Sequence, residues 1–151
     1  MANDNFEPAR DWTPEPTVES VINERVKLSR EAYAAIREFR RSKAWQGTYE
    51  ERLAKFTALS AALSVAYGLD PVTIQFHGVE NRDGSSDGLF EPETNKIHLI
   101  GKLSVVTFLH CFARARGRTK DEAFAWSLSV FKRMFPVSYS RCHATGLMLI
   151  R

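Results

Sequence analysis

The stretch from Asn95 to Phe135, NKIHLIGKLSVVTFLHCFARARGRTKDEAFAWSLSVFKRMF, constrains this chain more than any other. Ile97 and Leu99 flank a polar neighbour, as in a half-buried strand. From Ser104 onward the period changes. Val105, Val106, Leu109, Phe112 and Ala113 recur at helical spacing behind a serine suited to the N-cap, and Gly117 supplies the stop. Thr119-Lys120-Asp121-Glu122 then forms a capping box, in which threonine and glutamate satisfy each other's backbone donors. Phe124, Leu128, Phe131 and Phe135 follow on one face of a second helix, with Trp126 packing nearby. A strand, a short link, a helix carrying His110, a tight turn and a second helix must therefore pack together.

The residues upstream supply the rest of a sheet and a helical layer. Val72, Ile74 and Phe76 alternate with Thr73, Gln75 and His77, the pattern of a strand. Glu80 to Gly88 is polar and turn-rich, a loop. A short strand begins at Leu89-Phe90, Pro92 to Asn95 turns, and Ile97-His98-Leu99 completes a hairpin. His77 and His98 fall on the polar sides of their strands, where either reach into a cleft or ordinary exposure accounts for them. Earlier still, Val18, Val21, Ile22, Val26 and Leu28 fit one helical face, and Ser29 caps a continuation through Ala32, Ile36 and Phe39. Arg37, Arg40, Arg41 and Lys43 end that helix, where cations offset the dipole or could bind phosphate. Thr48 to Glu51 is another capping box, followed by Leu53, Phe56, Leu59, Leu63 and Ala66, with Gly68 as terminator. Residues 1–16, with Pro8, Pro14 and Pro16, read as an extended arm that Phe6 and Trp12 pin to the body. Pro136 stops the last helix, and Leu147 to Ile150 form an apolar patch expected to dock back. The expected fold is α+β in one domain, residues 17–151: N-terminal helices, a small antiparallel sheet, then two capped helices.

No apolar run approaches the roughly 20 residues that span a bilayer, and no secretory signal pattern is present, so no membrane association is expected. Two cysteines make no disulfide framework and favour a reducing cytoplasmic location. Charge is uneven. Nine Lys or Arg against Asp121 and Glu122 give +7 from Gly101 to Arg151, which leaves −4 for the first hundred residues. Arg116, Arg118, Lys120, Lys132 and Arg133 are the candidate anion-binding residues, with nucleic acid or a protein complex as partner. A solvated basic face is the plainer explanation of the same charge.

The order of elements, with the pattern Gly88-Leu89-Phe90, turn, Lys96-Ile97-His98-Leu99 ahead of Ser104 to His110, resembles the core of a zincin metallopeptidase over about Pro71 to Phe135. The helix of such enzymes carries His-Glu-x-x-His. Two imidazoles four residues apart share a helix face and hold one zinc ion, and the glutamate handles the proton of the metal-bound water. The matching positions here are His110, Cys111, Phe112, Ala113 and Arg114, with Ala113 and Gly117 at positions of small residues. The resemblance implies an acidic third ligand at Asp121 or Glu122.

One ligand is kept, and the base and second ligand are not. A thiol replaces the glutamate, and a guanidinium cannot ligate zinc. The expectation is a catalytically silent zincin-like domain that binds a partner and needs no cofactor. In it Arg114 takes the place of the ion by pairing with Asp121 or Glu122. Two alternatives stay open: a metallohydrolase whose altered zinc set is His110 with Asp121 or Glu122, and a structural subunit of a larger assembly. Cys142 and His143 are further chemically suitable metal donors, though adjacent helical residues such as His110 and Cys111 diverge by about 100 degrees.

Overall fold

The computed structural model describes residues 18–78 and 86–145. The arm at 1–16, the loop at 79–85 and the apolar patch at Leu147 to Ile150 lie outside the described residues. The fold is α+β. A single-turn helix, α1 (Val18–Val21), precedes α2 (Arg30–Arg41) and α3 (Tyr49–Ala66). Strands β1 (Thr73–Phe76), β2 (Ser86–Glu91) and β3 (Lys96–Gly101) follow, then α4 (Val105–Ala115), α5 (Lys120–Met134) and α6 (Pro136–Thr145).

Local side-chain chemistry sets most of these boundaries. Ser29 accepts from the Ala32 N–H and Ser104 from the Thr107 N–H. Both capping boxes close reciprocally, Thr48 with Glu51 and Thr119 with Glu122. Gly68 and Gly117, with φ of +66° and +85°, end α3 and α4 in the left-handed conformation that glycine adopts without a Cβ penalty.

The sheet is mixed, which corrects the expected antiparallel arrangement. β3 is central, antiparallel to β2 as the hairpin requires, but parallel to β1 on its other side, with Ile74 opposite Ile97 and Phe76 opposite Leu99. Two buried serines fix β1 in place: Ser60 donates to the Val72 carbonyl and Ser64 accepts from the Val72 N–H. β2 begins at Ser86, so Ser86 to Gly88 belong to a strand rather than to the preceding loop.

Ile97 and Leu99 of β3 are fully buried on the face that meets α4, while His98 and Lys96 look to the opposite, more open face. Phe39, Phe56, Phe108 and Phe112 continue the core between α2, α3 and α4, with Phe39 and Phe56 edge to face at 5.0 Å between ring centres. Each such side chain removed from water contributes roughly 1.5–3 kcal/mol, and the aromatic geometry adds to it.

The segment after Val21 departs from the expected helix. Residues 22–29 run irregularly, because their backbone groups are claimed from across the fold: the Asn23 N–H donates to Ser129 Oγ, and Arg133 donates to the Val26 carbonyl. Pro136 ends α5 as expected and also opens α6. Proline suits a first helical position, where its missing N–H is not needed. No helix among the described residues is long and apolar enough to cross a membrane.

Candidate functional site

Helix α4 places the motif positions on different sides of itself. Cys111 is buried against β2, where its sulfur crowds Gly88. Burial, with Asp87 adding to it, pushes the Cys111 thiol up to about 12, so at neutral pH it is a protonated, inert group. His110 is also buried, and its Nδ1 has no hydrogen-bond partner among the described residues. Burial, followed by the charges of Arg114 and Lys120, draws its pKa below the ordinary value of 6.5 and keeps the ring neutral at pH 7.

Arg114 does not pair with the acidic residues expected to hold it. Its side chain is exposed, and Nη1 donates to the Arg118 carbonyl at 2.9 Å, stabilising the turn that ends α4. Glu122 is committed to the Thr119 N–H at 2.9 Å, and that hydrogen bonding lowers its carboxyl pKa. Asp121 is exposed in the first turn of α5. The idea that a guanidinium stands where a zinc ion would sit is therefore overturned: the cation caps a carbonyl instead.

A zinc ion held as the resemblance implies needs two protein donors besides His110. Arg114 offers none, and Glu122 is engaged in its cap. Among the described residues no group of three or more His, Cys, Asp or Glu side chains is gathered closely enough to hold an ion. The residues present do not fit a zincin metal centre.

The basic residues separate into two sets. Lys132 approaches Glu24 at 3.6 Å, and Arg133 binds the Val26 carbonyl and lies over the Tyr33 ring at 5.7 Å. Both fasten the N-terminal segment to α5. Lys120 is exposed. Arg116 and Arg118, in contrast, line an open groove of about 780 Å³ between the 23–29 segment, the end of α3 and the start of α5. The Arg116 guanidinium lies 3.9 Å over the Tyr67 ring and 5.4 Å from that of Trp126. Tyr67 and Trp126 meet edge to face at 6.5 Å. Arg25 and Lys27 complete the basic lining, so four cations face Glu122 alone. Desolvation is the larger influence on both partners of the stack, lowering the Arg116 pKa and raising that of Tyr67, which stays a neutral phenol.

Sequence reasoning named Arg116 and Arg118 but missed Tyr67, which precedes the helix-ending Gly68. It also missed that His77 and His98 adjoin each other, meeting edge to edge with His77 Nε2 2.7 Å from His98 Nδ1. Comparison with family models, with curated proteins and with solved structures finds no match to this chain.

Proposed function

We propose that this chain is a catalytically silent, zincin-like domain that works by binding an anionic partner, nucleic acid in a single-stranded form, in the groove of Arg116, Tyr67 and Trp126. The order of β1, the β2–β3 hairpin and the His110 helix supports the zincin-like reading of the fold. Silence is supported by the chemistry of α4, where a buried neutral thiol stands for the general base and an exposed arginine for the second ligand.

The observation that carries the binding reading is the stack of Arg116 on Tyr67 beside Trp126, inside a groove lined by four cations. Aromatic faces accept unpaired bases of any sequence, and a planar guanidinium both stacks and pairs with phosphate. Cationic walls supply the sequence-independent part of the affinity. A double helix keeps its bases stacked internally, so the aromatic element favours single strands.

Titration of labelled single- and double-stranded oligonucleotides at rising salt tests this. The expected result is a linear fall of log affinity with log salt, with single strands bound more tightly. Absence of any salt-sensitive association would remove the nucleic-acid reading.

A further inference from the structure

We propose that His77 and His98 form a binding site for a first-row divalent transition metal ion such as Zn²⁺, on the open face of the sheet and separate from both the His110 helix and the basic groove. His77 Nε2 lies 2.7 Å from His98 Nδ1, and His98 Nε2 lies 2.9 Å from Glu91 Oε1. An ionised carboxylate only accepts, so His98 must carry its proton on Nε2 and donate it to Glu91. That leaves the His98 Nδ1 lone pair aimed at His77. A carboxylate that fixes the tautomer of an imidazole and orients its free nitrogen is the usual outer partner of a metal-binding histidine. Thr94 holds the same Glu91 oxygen at 2.8 Å, so the carboxylate is itself oriented.

The present separation suits a proton shared between the rings. A tetrahedral ion with bonds of about 2.0–2.1 Å needs the two nitrogens about 3.3–3.4 Å apart, so the rings must part by roughly 0.6 Å. His77 can supply this movement. It is exposed, lies one residue beyond β1, and precedes Gly78 at φ +95°. Its backbone N–H stays on the Leu99 carbonyl at 2.8 Å, so only the side chain has to swing. To bind the ion His77 must present Nε2 without a hydrogen, which then sits on Nδ1.

Two imidazole donors select zinc, copper, nickel or cobalt over magnesium and calcium, which take oxygen ligands. With no third protein donor gathered there among the described residues, water fills the remaining positions. The pair borders an open groove of about 580 Å³ walled by Leu89, Pro92 and Ile100, so those waters are exchangeable.

Calorimetric titration of the tag-free, metal-stripped chain with ZnCl₂, and separately with NiCl₂ and MgCl₂, tests the site. The expected result is one equivalent of zinc or nickel and no magnesium. Affinity should fall at least tenfold in His77→Gln and in His98→Gln, and about 10- to 100-fold in Glu91→Gln. His110→Gln should bind as the parent does. Circular dichroism checks that each variant is folded. Unchanged zinc binding in the folded His77→Gln/His98→Gln double variant would overturn the proposal, as would the lack of saturable binding up to millimolar zinc.

Discussion

A Cβ placed on Gly88 would stand 2.7 Å from Cys111 Sγ and 2.9 Å from Thr107 Cγ2, so helix α4 meets strand β2 at a point where only a glycine fits. Position 111, where the zincin resemblance puts a carboxylate, is thereby a packing position against the sheet. Gly88→Ala should destabilise the chain by about 1–3 kcal/mol through overpacking, read as a lower urea midpoint. Removing the sulfur in Gly88→Ala/Cys111→Ala should restore part of the loss, because the two sites share one contact. Strictly additive effects would contradict the close approach.

Burial of the same sulfur has a chemical consequence. In a Cys142→Ser background, Cys111 should resist a thiol reagent at pH 7.5 in the native state and react stoichiometrically in denaturant. Rapid labelling of the folded chain would show that Cys111 is accessible and ionisable, contradicting its burial against β2.

His110 makes stability depend on pH. Its folded pKa lies below the unfolded value near 6.5, so the unfolded chain binds more protons once the pH falls through that value. Its contribution is therefore constant above about pH 6.5 and destabilising as the pH drops further. Urea midpoints from pH 7.5 to 5.5 should fall less steeply in His110→Gln than in the parent. Parallel profiles would contradict a buried, neutral His110.

Arg133 ties the irregular 22–29 segment to α5 through the Val26 carbonyl. Arg133→Ala should cost on the order of 1 kcal/mol and should raise amide hydrogen exchange in residues 22–29 selectively. Exchange that rises uniformly, or not at all, would contradict this role.

What was legible in the sequence follows the range of the interactions. Ser29, Thr48, Ser104 and Thr119 cap their helices through side chains acting on backbone three residues away, and all four could be read directly. The parallel pairing of β1 with β3 joins Thr73 to Lys96, and alternation along one strand carries no information about its neighbour's direction. The apolar spacing from Val18 to Leu28 suggested one helix, but Ser129 and Arg133, more than a hundred residues away, bind its backbone and hold residues 22–29 out of it. Charge at Arg116 and Arg118 was plain in the sequence. That Tyr67, from the end of α3, lies beneath Arg116 depends on how the ends of α3 and α4 come together, which no local pattern encodes. Arg114 went astray for a related reason: a carbonyl four residues on satisfied it before any carboxylate.

The most direct measurement compares single-stranded oligonucleotide binding by the parent, Arg116→Ala, Tyr67→Ala and the control Lys102→Ala, by fluorescence anisotropy at two salt concentrations. Loss of the stacking platform that Tyr67 and Arg116 form together should cost about 1–3 kcal/mol, roughly five- to 150-fold in affinity, in Tyr67→Ala, which removes the ring beneath Arg116. Arg116→Ala should show a comparable loss together with a shallower salt slope. Lys102, exposed and outside the groove, should leave affinity nearly unchanged. Equal binding by all four proteins, or no binding by the parent at low salt, would contradict the assignment of this groove.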